Sequence, residues 1–457
     1  QERRRLQAIL DEEQKKLVKL EQAVKVVEKH KEKLFSCINE LEKDRELCFY
    51  NPKTDFVRKR KLTFSSVIKC FLVMEGSSIQ KELLKYTDYD SQAASDSAFC
   101  QQRKKIRPEA FISLFHRFTQ SLPCKNTYKG YRLLACDGSN LCTSIISDNK
   151  KYMPQGGSSN SKCKYLHLNA LYDIQNDIYT AIDVEPARIK NEKSALVRML
   201  YEQPKEQKAI YIADRGYESY NVIAHIDSLK QKFLIRIKDN SVGGFLKFFS
   251  QPDYEEFDEE YTRKFTRKSS RKYTKMNETH IPIRHKYHQM NFFTEEHEEY
   301  EINFRIIRFA LKGGGYECLI TNLPKEDFAT EEIKELYHLR WEIETSFRKL
   351  KYTIGLNYFH GKKEELVLQE IYSRVIMYNF SQVIAGCIIT EKKNKKWKYK
   401  VDFKRAASVC RKILTGKIIL KEIVKLLERN MIPSRPDRSY ERNRTRINSL
   451  WIQHYSI

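Results

Sequence analysis

Two aspartates in this sequence directly follow short apolar runs with the composition of β-strands. Asp137 comes after Leu-Leu-Ala-Cys, and Asp214 comes after Ala-Ile-Tyr-Ile-Ala. A carboxylate at the point where a buried strand emerges is held rigidly at the edge of a sheet, where it could serve catalysis. Asp137-Gly138 is also a hairpin-turn sequence, and Asp214 could cap a turn or helix before Arg215-Gly216. Both interpretations remain open for each aspartate.

A later segment would place four functional side chains in line on one face of a helix. At positions i, i+3, i+7 and i+14 these are Tyr337, Arg340, Glu344 and Lys351. At about 100° per residue they fall in a stripe about 60° wide. The apolar residues of the segment point elsewhere, which predicts a helix from about Thr330 to Tyr352 that is anchored to the core. An ordinary surface ion pair between Glu344 and Arg348 is the alternative interpretation.

These segments together resemble a known protein family. YHLRWEIETSFRKLK matches the Y-x2-R-x3-E-x6-K signature of the bacterial DDE transposases of the insertion-sequence-four family, and LLACDGSNL and YIADRGYESY resemble its two aspartate motifs. The order agrees as well, with a β-rich insertion before the glutamate. The resemblance covers about residues 130–390. It implies an α/β fold with a ribonuclease H-like mixed sheet, in which Asp137, Asp214 and Glu344 form the catalytic, metal-binding triad.

The chemistry of phosphodiester cleavage agrees with such a triad. Two Mg²⁺ ions about 3.5–4 Å apart stabilise the attacking and leaving oxygens of an in-line displacement. Hard cations prefer carboxylate and water oxygens to thiols. The three residues are 77 and 130 positions apart, so only a fold can bring them together. We therefore expect two Mg²⁺ ions, with Mn²⁺ as a substitute.

The other signature residues are expected to contact DNA. Arg340 would grip a phosphate through its bidentate fork, and Lys351 would do so as a point charge. Tyr337 would bond or pack against the backbone near the scissile phosphate. Arg348, on the same predicted helix, is also expected to bind DNA.

An aromatic residue near the end of the β-rich insertion has a role in the family. It stacks on a base that is flipped out when the DNA end forms a hairpin. Tyr316 lies at the corresponding distance before Tyr337, although the family usually has Trp. The resemblance therefore assigns Tyr316 to DNA binding, and the alternative is a tyrosine that packs at the sheet edge after the triglycine 313–315.

The resemblance implies a cut-and-paste DNA transposase. Such a protein cleaves the ends of an insertion sequence, passes through a hairpin intermediate and joins the ends to target DNA. Its partners would be double-stranded DNA, at the terminal inverted repeats and the target, and a second subunit in a homodimeric synaptic complex. Two alternatives remain: a metal-dependent nuclease on the same core, and a catalytically inactive DNA-binding protein derived from a transposase.

The elements that must position these residues follow from composition and periodicity. Residues 6–41 carry an apolar heptad seam, interrupted at Glu13 and Lys31, that would pack on its own protein or form an intermolecular coiled coil. We expect, in order, a long heptad helix at 1–50, a helical DNA-end-binding region at 51–128, the first part of the catalytic core at 129–240, the β-rich insertion at 241–318, the second part of the core at 319–390 and a basic C-terminal region at 391–457.

A short polar segment in the helical region has features of a recognition helix. SAFCQQRKKI, residues 97–106, is basic and follows a turn rich in Ser and Asp. Gln102 and Arg103 would suit contacts to base edges and phosphates. The alternative is a solvated charged helix. His167, within a predicted strand, is expected to be a core or sheet-face residue.

Charge and composition indicate a nucleic-acid partner. The 457 residues include 84 Lys and Arg against 60 Asp and Glu, a net charge of +24. Residues 391–457 hold 19 Lys and Arg against six Asp and Glu, a net +13, so more than half of the surplus lies there. At 32% charged and 41% hydrophobic the chain is too apolar for disorder and too polar for a membrane. The eleven cysteines form no CxxC pair, which is typical of a reduced cytosolic protein with ordinary thiols. We expect a cytoplasmic bacterial protein associated with the nucleoid.

Overall fold

The computed structural model describes residues 2–58, 60–153, 163–239, 255–266, 279–282, 291–292, 299–311, 313–388, 398–416 and 419–434. These residues form a large mixed β-sheet with helices on both faces and helical regions at both ends. Among the helices in these ranges, none is long and apolar enough to cross a membrane.

Six helices precede the first strand of the sheet. They are α1 (Glu2–Glu42), α2 (Arg45–Cys48), α3 (Phe64–Val73), α4 (Ile79–Thr87), α5 (Asp96–Arg103) and α6 (Pro108–Gln120). The side chains of Thr63, Ser78 and Ser95 each accept a hydrogen bond from a backbone N–H in the first turn of α3, α4 and α5, respectively. These N-caps and Pro108 in the first turn of α6 explain where the four helices begin.

The heptad seam of α1 is divided between the interior and the surface. Val27, Leu34 and Leu41 are fully buried in the core of the helical region. Leu10 and Leu17, earlier in the same seam, are 62% and 44% exposed. The second half of α1 therefore packs on its own protein, whereas the first half presents its apolar residues on the surface.

Within the described residues, nine strands form the sheet. They are β1 (Arg132–Thr143), β2 (Lys164–Asp173), β3 (Ile178–Pro186), β4 (Ala209–Ala213), β5 (Lys232–Ile237), β6 (Phe257–Thr266), β7 (His280–Pro282), β8 (Glu299–Ala310) and β9 (Tyr316–Thr321). Their order is β3-β2-β1-β4-β5-β9-β8-β6-β7. β1, β2 and β3 are antiparallel neighbours, and β4 and β5 run parallel to β1. This arrangement of β1 to β5 is the ribonuclease H-like topology, which confirms the predicted fold.

Strands from the predicted β-rich insertion continue the same sheet. β9 is antiparallel to β5, β8 is antiparallel to β9, and β6 is antiparallel to β8. The insertion thus joins the core through continuous backbone pairing instead of folding apart from it.

The sheet is covered by different helices on its two faces. On one face, α7 (Glu192–Tyr201) and α8 (Tyr220–Ser228) pack with Leu134 and Cys136 of β1. On the other, Leu133 and Ala135 pack toward the helices that follow β9. Because side chains alternate along a strand, Asp137 belongs to the second face and Gly138 to the first.

The described part of the chain after β9 is mostly helical. It forms α9 (Thr330–His338), α10 (Trp341–Arg348), α11 (Glu364–Gly386), β10 (Lys398–Val401), α12 (Phe403–Thr415), α13 (Leu420–Arg429) and β11 (Met431–Ser434). α11 is buried along most of its length, because it passes between the sheet and the helices of the N-terminal region. The predicted basic C-terminal region lies within the described residues only at 398–416 and 419–434.

Candidate active site

Asp137 and Asp214 lie side by side at one edge of the sheet. β1 and β4 run parallel, and Cys136 of β1 is paired with Ala213 of β4. Asp137 is the next residue of β1, and Asp214 directly follows the end of β4. Parallel pairing therefore brings together two carboxylates that are 77 positions apart in the sequence.

Each aspartate is held by a backbone N–H close in sequence. β1 continues past Asp137 as a strand paired with β2, so the hairpin-turn interpretation of Asp137-Gly138 is wrong. The Gly138 N–H donates to Asp137 Oδ1 at 2.8 Å. Asp214 does cap the short 3₁₀ turn Arg215–Tyr217, and its Oδ1 accepts the Gly216 N–H at 2.8 Å. Asp214 therefore both caps the turn and lies at the sheet edge, so its two interpretations do not exclude each other.

The signature segment is broken into three pieces instead of forming a single helix. α9 ends at His338, α10 begins at Trp341, and Lys349–Ile354 form a π-helical turn. Between α9 and α10, the Arg340 N–H donates to the carbonyl of Tyr337 at 3.1 Å, a bond of the tighter 3₁₀ type. Arg340, at this turn, is only 5% exposed.

The guanidinium of Arg340 lies between two carboxylates of the site. Its Nη1 is 4.0 Å from Asp137 Oδ2, and its Nη2 is 3.4 Å from Glu344 Oε1. The same group lies 4.7 Å from the ring centroid of Trp341. Glu344, on the first turn of α10, therefore faces the edge that carries the aspartates, and Arg340 supplies the positive charge between them.

Burial perturbs the carboxyl of Asp137. Desolvation raises the pKa of Asp137 to about 6, and the negative charges of Asp214 and Glu344 act in the same direction. The Gly138 N–H and the Arg340 guanidinium oppose the shift. A carboxyl in this state gains from any cation placed beside it, because the charged form is otherwise poorly solvated.

The remaining signature residues are engaged with the protein itself. Tyr337 is buried, and that burial raises its pKa to about 12. Lys351 Nζ donates to Ser139 Oγ at 2.7 Å and to the Asn140 carbonyl at 2.8 Å, which ties the π-helical turn to β1. Arg348 is exposed on α10. Of the three cations predicted to bind DNA from this segment, Arg348 is thus the most accessible, whereas Arg340 and Lys351 have internal partners in this conformation.

The donor set at this edge suits a hard divalent cation. Asp137, Asp214 and Glu344 offer carboxylate oxygens only, the ligands that Mg²⁺ prefers. Within the described residues, however, no three His, Cys, Asp or Glu side chains stand close enough to share an ion as they are placed. Arg340 instead lies between two of the three acids, Asp137 and Glu344.

A second polar group, which sequence reasoning missed, lies beside the aspartates. Glu192, in the first turn of α7, has its Oε1 2.7 Å from Lys190 Nζ and 3.0 Å from Nε2 of His167. These contacts lower the pKa of Glu192 to about 2, with the His167 interaction as the main cause. His167 is buried as predicted, and its Nδ1 lies 2.7 Å from Asn140 Oδ1. A first-turn glutamate is common in helices, so its type alone gave no signal.

The predicted recognition helix is partly internal. α5 ends at Arg103, whose guanidinium is 2% exposed and lies 2.8 Å from Glu370 Oε1 on α11. Arg103 is therefore not accessible to DNA in this conformation, unlike the predicted DNA contact. The sequence could not reveal this, because Glu370 is 267 positions away. Gln102, 8% exposed, lines a surface pocket with basic residues. The pocket's charged lining residues are Lys53, Arg58, Arg60 and Lys105.

Tyr316 begins β9, which is the third strand from β1 in the sheet order. Its ring is half-buried, and the guanidinium of Arg308 on β8 lies 3.8 Å from the ring centroid. The register pairs Tyr316 with Ala310. Arg308 covers one face of the Tyr316 ring, and this packing on the neighbouring strand fits the sheet-edge alternative. The role of Tyr316 with DNA stays a prediction.

The sheet order and its acidic edge define a protein of the ribonuclease H-like class. Within that class, the model of the transposase DDE domain matches residues 128–380, more than half of the chain. The chain therefore belongs to the DDE transposase family, which confirms the family predicted from the signature. The matched range contains both aspartates and the whole signature segment.

The chain is also similar to individual transposases. Over 345 residues the chain is 21% identical to the transposase InsG for insertion sequence element IS4 of Escherichia coli strain K12, covering 73% of this chain and 72% of InsG. It is 32% identical over 66 residues to the putative transposase InsL for insertion sequence element IS186A of the same strain, but that match spans 14% of this chain and only 18% of InsL.

Among solved structures, one similar chain is that of the piggyBac transposase in a synaptic complex with hairpin DNA. The comparison has a TM-score of 0.47 and 10% sequence identity. It covers 86% of this chain and 80% of that chain.

Proposed function

We propose that this protein is a cut-and-paste DNA transposase. It binds the ends of an insertion sequence, cleaves them by metal-dependent phosphodiester hydrolysis through a hairpin intermediate, and joins them to target DNA. The observation that carries the proposal is the juxtaposition of Asp137 and Asp214 on adjacent parallel strands, with Glu344 turned toward the same edge. Membership of the DDE transposase family supports it.

The same three carboxylates would hold two Mg²⁺ ions, or Mn²⁺ in their place. Bound there, the ions supply charge stabilisation for the attacking and leaving oxygens of the phosphodiester. The protein's own part is to present Asp137 and Asp214 from paired strands and to withdraw Arg340 from between Asp137 and Glu344. Once withdrawn, Arg340 could bind a DNA phosphate as a bidentate donor.

Double-stranded DNA is the proposed partner. The net charge of +24 supports phosphate binding, and the exposed Arg348 lies on α10 beside the acidic edge. The basic pocket next to Gln102 is a candidate surface for the element ends. We further propose a homodimeric synaptic complex in the bacterial cytoplasm, at the nucleoid, to which the exposed half of the α1 seam could contribute.

The test compares variants of the acidic edge on a labelled element end. Asp137→Ala, Asp214→Ala and Glu344→Ala should each abolish Mg²⁺-dependent cleavage, because each removes a proposed ligand. Binding to the same DNA should be largely retained. Glu342→Ala is the matched control, since Glu342 is an exposed acid on the same helix, and it should cleave normally.

The outcomes separate the proposal from its alternatives. Cleavage at near-normal rate in Asp214→Ala would sink the triad. A wild-type protein that cuts ends but never joins them would be a nuclease, and one that binds ends without cutting would be an inactive derivative. End joining by the wild type, lost in all three variants, is the expected result.

A further inference from the structure

The first part of α1 stands clear of the rest of the described protein. Every described side chain from Glu2 to Lys19 is exposed, whereas Leu20 and Val27 further along the same helix are buried. Residues 2–19, which we call the arm, form a helical segment about 27 Å long. A helix of this length gains little stability by itself in water, because helices in proteins are stabilised mainly by the packing of an apolar face. A partner that covers such a face would therefore stabilise the arm.

The arm carries an apolar stripe that is interrupted by one charge. Leu6, Leu10 and Leu17 lie within about 40° of one another around the helix axis. Their exposed fractions are 55%, 62% and 44%. Glu13 lies in the same stripe, and its ion pair with Lys16 joins two exposed side chains, so this pair contributes little. A well-matched partner would cover the leucines and also offer a positive charge to Glu13.

A second copy of the arm meets both requirements when the two helices run antiparallel. In a heptad repeat that pairs in this way, each a position of one helix faces a d position of the other. The register that places Leu6 opposite Leu10 of the second copy also places Arg3 opposite Glu13 of the second copy. Because the pair has twofold symmetry, each of these contacts occurs twice.

The distribution of charge favours the antiparallel orientation over the parallel one. In a parallel pair each residue faces its own counterpart, so Glu13 would lie opposite Glu13 and Arg3 opposite Arg3. Like charges placed together in this way oppose association. The antiparallel register instead adds an opposite-charge pair, because it brings Glu2 beside Lys16 of the second copy at the flanking positions.

We propose that the arms of two copies of this chain pair as an antiparallel coiled coil, with layers of Leu6 and Leu10 between two contacts of Arg3 with Glu13. The inference names a contact surface for the homodimer of the proposed function and rests on that part of it. The paired segment is short, so the interface is a weak one that suits a complex also held together by DNA.

The first test measures the dimer Kd of the full-length protein without DNA, by sedimentation equilibrium. Arg3→Glu and Glu13→Arg each place like charges opposite one another, and each should raise the Kd about tenfold or more. The double variant Arg3→Glu/Glu13→Arg restores opposite charges and should return the Kd to near the wild-type value. Arg4→Glu makes the same change of charge on the opposite face of the arm and should leave the Kd unchanged.

The outcomes separate the arm from the homodimer. If the wild type dimerises and the charge variants dimerise equally well, the homodimer stands but forms through another surface. A double variant that dimerises no better than the two single variants would overturn the antiparallel register. A wild type that stays monomeric at every concentration overturns the pairing of the arms and leaves the proposed DNA cleavage unaffected.

Disulfide trapping tests the register independently of affinity. Arg3→Cys/Glu13→Cys should form a covalent dimer under mild oxidation, because the two thiols face each other across the pair. In either single variant the introduced thiols of the two copies lie about 15 Å apart, so cross-linking should not exceed the wild-type background from native cysteines. A parallel pair would cross-link through each single variant. Single variants that cross-link as efficiently as the double variant would therefore overturn the inference.

Discussion

Arg340 forms an ion pair with Asp137 across the acidic edge of the sheet, with Nη1 4.0 Å from Oδ2. The same guanidinium reaches Glu344 at 3.4 Å. In this conformation an internal cation balances two of the three carboxylates proposed to bind metal. Arg340 and a divalent cation would therefore compete for the same negative charge.

Competition of this kind predicts a metal-dependent rescue. Arg340→Met should lower the free energy of unfolding in EDTA by about 1–3 kcal/mol, because Asp137 and Glu344 lose their shared partner. Added Mg²⁺ should then raise the melting temperature more in the variant than in the wild type. Thermal melts with and without Mg²⁺ measure both effects, and equal increments in the two proteins would show that Arg340 does not compete.

The raised pKa of Asp137 predicts a pH dependence of stability. Its pKa is about 6 in the folded chain against 3.8 for an ordinary aspartate. The folded chain thus binds this proton more tightly, so the contribution favours folding in acid and is lost as the pH rises through about 6. Asp137→Asn does not titrate, and its free energy of unfolding should exceed that of the wild type by about 1–3 kcal/mol above pH 7.

The measurement is chemical unfolding in EDTA at pH values from 4 to 8. The difference between Asp137→Asn and the wild type should be small at pH 4, grow up to about pH 6 and then level off. Parallel curves across this range would contradict the assigned desolvation of Asp137.

The buried pair of Arg103 and Glu370 predicts a stability effect in the supposed recognition helix. Both side chains are nearly inaccessible, at 2% and 1% exposure. Arg103→Met leaves Glu370 charged and without this partner, which should cost about 3–5 kcal/mol in urea unfolding. Lys104→Ala, at the exposed neighbouring position, should change stability by about 0.5 kcal/mol or less. Normal stability with lost preference for element ends would instead restore Arg103 as a DNA contact.

Tyr316 offers a test of the hairpin step. If its ring stacks on a flipped base, Tyr316→Ala should slow hairpin formation about 5- to 150-fold, which corresponds to about 1–3 kcal/mol of stacking. The first nick should be unaffected, and Tyr316→Phe, which keeps the ring, should form hairpins normally. Nicked and hairpin products on a labelled end are separated on a denaturing gel. Unchanged hairpin yield in folded Tyr316→Ala means that the residue only packs against Arg308.

Much of the site was predictable because its signals are local. Apolar runs identify β1 and β4 and the position of Asp137 and Asp214 after them, since strand periodicity is written in consecutive residues. The spacing of Tyr337, Arg340 and Glu344 identifies the family in the same way. The α/β class and the β-rich insertion also follow from the change of periodicity along the chain.

The tertiary structure alone decided which partner each polar side chain meets. A hydrophobic period shows that a face is buried but not what it is buried against, so the pairing of Arg103 with Glu370 could not be read from SAFCQQRKKI. The break at Arg340 has no Gly or Pro in the segment to signal it. Glu192 meets His167 only because α7 packs against β2, a long-range contact that leaves no pattern in the sequence around it.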